Sequence, residues 1–195
     1  LKGDFSLNVS NALTAQYLKD KNLTSLCPSY DLNKWQLSAL LSAAPAAWFE
    51  VVAHQYMPEF HMEHCVFAHT LSTGSSFRDC GKPCEKHSVH VQDHYGVRHV
   101  LRADQECRNT LFKAAPQSAA GLIGEWRQRG VREFRLEFLE ERGAALLGKI
   151  DLYAQLLDGR LNSQDLYAQL GVEERFGVTE VQLSFVDAHR NRKKN

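Results

Sequence analysis

Four of the five cysteines, Cys65, Cys80, Cys84 and Cys107, fall in one polar stretch at successive spacings of 15, 4 and 23 residues. Thiolates gathered from one segment suit a zinc ion or an iron-sulfur cluster, because both take soft sulfur ligands and both tolerate irregular loops. Residues 80–84 (CGKPC) supply one close pair of the kind that structural zinc sites use, while Cys65 and Cys107 flank it singly. Spacing alone leaves zinc, a cluster and unrelated thiols open. Cys27, inside the apolar run 23–28, reads as a buried strand thiol.

Eight histidines, His54, His61, His64, His69, His87, His90, His94 and His99, crowd the same region. Imidazole can ligate metal or shuttle protons near neutrality, although most of these read as surface or hydrogen-bonded structural residues. His54 stands apart because it lies near the end of an apolar strand, where barrel enzymes place their chemistry. A later strand, 131–138, sets Glu133, Arg135 and Glu137 on one face at period two. Charges at such a position are either paired with each other or used on a substrate, and Glu50 on the earlier strand invites the same reading. Neither HExxH nor GxSxG occurs, and HMEH at 61–64 has the wrong spacing for a helical zinc pair.

The elements that must position these residues alternate. Extended runs are expected at 3–10, 23–29, 48–56 and 131–138. Helices are expected from an Asn11 N-cap, from an Asp31 cap through Trp35, Leu37, Leu40 and Leu41, over 108–129 and over 143–157. A hairpin is expected from 88–92 and 97–101 across DHYG at 93–96. Strand and helix in alternation argue for parallel βαβ units, and four such units are half of an eightfold barrel of about 250 residues. The expected fold is therefore α/β: the C-terminal half of a TIM-type (β/α)8 barrel with a cysteine-rich β-hairpin insertion, the missing N-terminal barrel half lying upstream. Residues 1–60 would form barrel βα units, 61–106 the metal-binding insertion, 107–160 the closing helix, strand and helix, and 161–195 a helical or extended tail. A six-residue repeat, DLYAQL at 151–156 and 165–170, reads as local duplication packed on the domain, with a break at Gly159.

With 195 residues and 44% apolar content the chain can bury a real core. Its 23 basic and 23 acidic residues give no bulk field for nucleic acid or anionic membrane, and the basic run His189, Arg190, Arg192, Lys193, Lys194 reads as a solvated tail. No run approaches the roughly 18 apolar residues of a membrane span, so a soluble, reducing, cytoplasmic setting is expected.

Taken together, EVVAH at 50–54, HMEHCVF at 61–67, CGKPC at 80–84, DHYG at 93–96, CRNT at 107–110 and GVREFRLE at 130–137 resemble the collagenase-like peptidase family U-thirty-two. The resemblance runs from about Gly3 to Glu141. It implies a TIM-type barrel whose cysteines bind a four-iron, four-sulfur (4Fe-4S) cluster. It implies either the peptidase activity of the family name or the oxygen-independent hydroxylation carried out by other members. Those members act on an RNA base or a quinone precursor, with prephenate as oxygen source. The family's usual second cysteine, seven residues after the first, is here Ser72, which leaves Cys107 to complete the ligand set. Cys65, Cys80, Cys84 and Cys107 would then hold the cluster, while His54, Arg135 and Glu137 would orient substrate or move protons. A peptide substrate and a zinc-stapled binding scaffold are the alternatives.

Overall fold

The computed structural model describes residues 1–172, so the basic run from His189 to Lys194 lies outside the described residues. In chain order the elements are β1 (Lys2–Gly3), α1 (Ala12–Asp20), β2 (Ser25–Leu26), α2 (Lys34–Ala43), β3 (Glu50–Gln55), β4 (Pro58–Met62), α3 (Val66–Leu71) and β5 (Val89–Gln92). They continue with β6 (Arg98–Ala103), β7 (Asn109–Phe112), β8 (Gln117–Ser118), α4 (Ile123–Gln128), β9 (Glu133–Leu136), α5 (Gly143–Leu157) and α6 (Ser163–Leu170). By compactness the described residues divide into a larger unit, 1–55 with 117–172, and a smaller unit, Tyr56–Pro116. The expected insertion limits, 61 and 106, fall inside the smaller unit.

The larger unit is α/β. β1 pairs parallel with β2, isolated parallel bridges join Val9 to Pro28 and Leu26 to Phe49, and β3 pairs parallel with β9. A helix intervenes at each step, as parallel neighbours require, since no tight turn can bring the chain back to the same end. β8 runs antiparallel on the other edge of β3. Among the described residues the strands do not close into a barrel, and no helix is long and apolar enough to cross a membrane. Leu26 and Val51 bury one sheet face against Leu37, Leu40 and Leu41 of α2 and Trp126 of α4. Each such side chain contributes about 1.5–3 kcal/mol.

Local chemistry explains where elements start and stop. Asn11 caps α1 by accepting from the Thr14 amide at 2.9 Å, as its position before an apolar run predicts. The cap of α2 is Asn33 and not Asp31: Asn33 accepts from the Trp35 and Gln36 amides while the Gln36 side chain accepts from the Asn33 amide at 2.9 Å. This reciprocal box satisfies donors that Asp31, two residues too early, cannot reach. The first strand stops at Gly3 because Asp4 accepts from the Phe5 amide and starts a 3-10 turn that ends at left-handed Asn8.

The helix expected over 108–129 does not form. Its first part is β7, in which Leu111 pairs with Leu101, and only Ile123–Gln128 is α-helical. Pro116 forbids a continuous helix, and residues 109–112 pair instead with β4 on one side and β6 on the other. The smaller unit is an antiparallel sheet in the order β4-β7-β6-β5. β5 and β6 form the expected hairpin, with Val89 opposite Leu101 and Gln92 opposite Arg98. Its strands carry no cysteine, so the insertion is not a cysteine-rich hairpin: all four thiols stand on loops and turns around the sheet.

The repeat folds as two helices broken at Gly159, whose φ is +74°. Its two tyrosines pin one segment of backbone. Tyr153 meets Ser118 Oγ at 2.5 Å, and the Tyr167 hydroxyl accepts from the Gly121 amide at 2.6 Å. Both rings are buried among Ala53, Ala120, Ile123 and Leu166, so the duplication serves the core. Tyr167→Phe removes the acceptor of the Gly121 amide without changing ring volume. It should lower unfolding free energy by about 1–2 kcal/mol in urea titration at unchanged denaturant slope.

Candidate functional site

Each unit presents one constellation able to do chemistry. In the larger unit the parallel register sets Glu50 beside Glu133 and Val52 beside Arg135, so the sheet face opposite the helices carries the charges. Arg135 Nε donates to Glu50 Oε1 at 2.5 Å, and Nη1 donates to Asp4 and, at 3.4 Å, to Glu137. Lys2 Nζ donates to Glu50 at 2.6 Å and to Glu133 at 2.8 Å, and Ser25 Oγ donates to Glu133 at 3.0 Å. The Tyr30 hydroxyl donates to Glu137.

Titration follows from these contacts. Burial opposes ionisation of Glu50, yet hydrogen bonds from Lys2 and Arg135 outweigh it and hold the carboxyl below its usual range. Burial likewise opposes the Arg135 charge, and Asp4 and Glu50 reverse that effect, so its pKa is raised. Burial first, and then the bond to Glu137, raises the Tyr30 phenol, which stays a proton donor. Cys27 is fully buried, as expected, though it stands one residue past β2, and burial pushes it up to about 12. Three carboxylates, Glu50, Asp4 and Glu137, take Nε and Nη1 of the guanidinium, and the Tyr30 hydroxyl keeps its proton toward Glu137.

Arg135 and Glu137 are thus brought together, and although the Glu137 amide donates to the His54 carbonyl at 2.8 Å, the His54 side chain is set apart from theirs. Strict alternation along β3 would aim His54 to the side of Glu50. The register shifts between Val52 and His54, pairing His54 with Leu136 and turning its ring to the helix side. There His54 is fully buried, with Nδ1 3.1 Å from the Tyr153 hydroxyl and the ring 5.2 Å from that of Phe138. Burial, and then the nearby Lys149 charge, drive its pKa down to about 4, so the imidazole is neutral at physiological pH. Asp4 and Tyr30 join the Arg135 network from outside the regular strands, and no spacing rule would have found Tyr30. Lys2 and Asp4 do repeat the period-two signal of 133–137.

In the smaller unit all four cysteines line one cavity of about 660 Å³ together with Phe77 and Pro83. Cys65 caps α3, its Sγ accepting from the Ala68 amide at 3.4 Å. Cys80 and Cys84 are joined through Gly81 and Lys82, both left-handed, which bends CGKPC around Pro83. Cys107 is itself left-handed, with φ +65°. Its turn is fastened by Asp104, which accepts from the Glu106 and Arg108 amides at 2.9 Å each and whose carbonyl accepts from the Cys107 amide at 3.2 Å. Every cysteine is a free thiol. Burial raises the Cys107 pKa, and the charges of Cys65, Cys80 and Cys84 raise it further. A thiol whose ionisation is opposed in this way is relieved by a cation placed beside it, as in a metal or cluster ligand set. Among the described residues no three His, Cys, Asp or Glu side chains already converge on the position of a single ion. Ser72 does not line the cavity; its hydroxyl accepts from the Gly74 amide at 2.9 Å.

Two outcomes follow. Because His54 binds its proton less readily folded than unfolded, it favours the fold fully above pH about 6.5, and that contribution is lost as pH falls toward about 4. The loss should reach about 3 kcal/mol, and a His54→Gln variant should show a flatter dependence of unfolding free energy over that window. At Cys107 a side chain holds a backbone conformation that glycine adopts freely. In metal-free protein Cys107→Gly should therefore be more stable than Cys107→Ala by about 1 kcal/mol in thermal unfolding. No family model matches the chain, and neither curated proteins nor solved structures show significant similarity to it.

Proposed function

We propose that the chain belongs to an iron-sulfur enzyme resembling the collagenase-like peptidase family, acting as an oxygen-independent hydroxylase on an RNA base or a quinone precursor. The observation that carries this reading is the convergence of Cys65, Cys80, Cys84 and Cys107 on one cavity, with Cys107 held in a left-handed turn to reach it. A single zinc ion draws its thiolates to about 2.3 Å from one point, whereas a cluster spreads them over separate corners. Four thiols around about 660 Å³ suit the larger guest. In this reading the parallel strands of the larger unit are half of a TIM-type barrel, and the setting is the reducing cytoplasm.

The donor set fits a 4Fe-4S cluster, which when bound supplies one-electron redox chemistry, with prephenate as the oxygen source that the family resemblance suggests. The chain's own residues do the rest. Lys82 lines the cavity ion-paired with Glu85 at 3.1 Å, and Glu85 and Asp104 line it too. Tyr30 and Glu137 hold a proton between them, and Arg135 keeps Glu137 beside Glu50 and Asp4. His54, sealed and neutral, supports the strand bulge and handles no substrate proton.

Anaerobic reconstitution of the full chain with iron and sulfide should give about four irons per chain and broad charge-transfer absorption. Replacing any one of the four cavity cysteines by Ser should lower the iron content, and Cys27→Ser should not. Zinc at one per chain with no iron uptake would overturn the reading in favour of a zinc-stapled scaffold. Modified nucleosides and quinones compared between cells with and without the intact gene would then identify the substrate.

A further inference from the structure

Asn109 opens β7 at a position where the strand pairs with Met62 on one side and Ala103 on the other, and its side chain is fully buried. Asparagine is a poor choice there. It is depleted in strands, and a buried amide costs about 1–3 kcal/mol unless its groups are bonded. Both ends of this amide are used, on two segments far apart in sequence. Oδ1 accepts from the Val66 amide at 2.8 Å, the residue directly after Cys65, and Nδ2 donates to the carbonyl of Cys107 at 3.3 Å. One side chain therefore fastens the loop that carries the first cysteine to the turn that carries the last.

Asn109 does not line the cavity, although its partner across the ladder, Ala103, does. The Cys107 turn resists its own geometry, since a residue with a side chain at φ +65° is disfavoured. Asp104 closes that turn from its amide side and Asn109 holds it from its carbonyl side. Cys80 and Cys84 receive no bond from Asn109 and are set by their own loop.

We propose that Asn109 is the positioning residue of the four-thiol site, presetting Cys65 and Cys107 at the separation their ligand needs before that ligand arrives. The inference rests on the reading of the four cysteines as a ligand set, and it is testable apart from it. Partners that orient ligands, though they never touch the metal, commonly change metal affinity by about 10–100-fold.

The test uses the full chain and two variants. Asn109→Ala removes both bonds. Asn109→Asp keeps the acceptor for the Val66 amide and sets a carboxylate against the Cys107 carbonyl, so it carries the test should the alanine variant not fold. In metal-free, reduced protein, alkylation by iodoacetamide read by mass spectrometry should rise about tenfold at Cys107 in both variants and at Cys65 in Asn109→Ala, with Cys80 and Cys84 near wild-type rates. In protein reconstituted with iron and sulfide, release of iron to a chelator should speed up by about tenfold or more. General loosening of the unit would instead raise all four alkylation rates together, and that result overturns the proposal. Wild-type rates of alkylation and iron release in a folded variant overturn it equally. If wild-type protein takes up no cluster while the alkylation pattern shifts as expected, the iron-sulfur reading fails and the positioning role of Asn109 stands.

Discussion

A charge on a partly covered sheet face needs a partner, because removing an ion from water costs several kcal/mol. In the larger unit that constraint centres on Arg135. Its guanidinium gathers Asp4 from beyond β1, Glu50 from β3 and Glu137 from the end of β9, while Lys2 bridges Glu50 and Glu133. Parallel strands have no short loops to set their order, so side-chain partners distant in sequence help select it. The first four residues are tied in this way to a strand more than a hundred positions later. The apolar face supplies most of the stability, and the charged face supplies much of the choice of neighbour.

What was legible in the sequence depended on how local its cause was. Residues 143–157 read as a helix from composition alone, the hairpin read from Val89 and Val91 flanking a Gly-containing turn, and Asn11 read as a cap because a cap acts within three residues. The break between the two copies of the repeat followed from Gly159. The failures also have causes. Asp31 and Asn33 are both good caps, and only the reciprocal bond from Gln36 separates them. Residues 108–129 combine good helix formers with Pro116, and propensity misled until the tertiary partner Leu101 was in view. His54 is the sharpest case: a one-residue irregularity in β3 changes the face on which its ring lies, and no periodicity argument contains that information.

The thiol site divides in the same manner. Its four cysteines were evident from residue type and crowding. The residues that bring them together were not, because Asp104 acts through a turn of its own and Asn109 acts across more than forty positions. The site's energetics explain why such support is needed. Left alone, Cys107 resists ionisation beside the other three thiols and favours a different backbone, so its turn carries a cost that hydrogen bonds from outside the cavity must offset.

The way the smaller unit leaves and rejoins the larger one has an evolutionary consequence. Gln55, the last residue of β3, and Gln117, the first of β8, are directly opposite each other in an antiparallel ladder. To the larger unit everything between them is a single hairpin loop, already closed at its base. Since each doubling of loop length adds only about 0.6 kcal/mol of closure entropy, the host sheet would feel little difference between a short turn and a whole folded module at that point. The four-cysteine unit could thus be lengthened, shortened or replaced without redesigning the sheet that carries it.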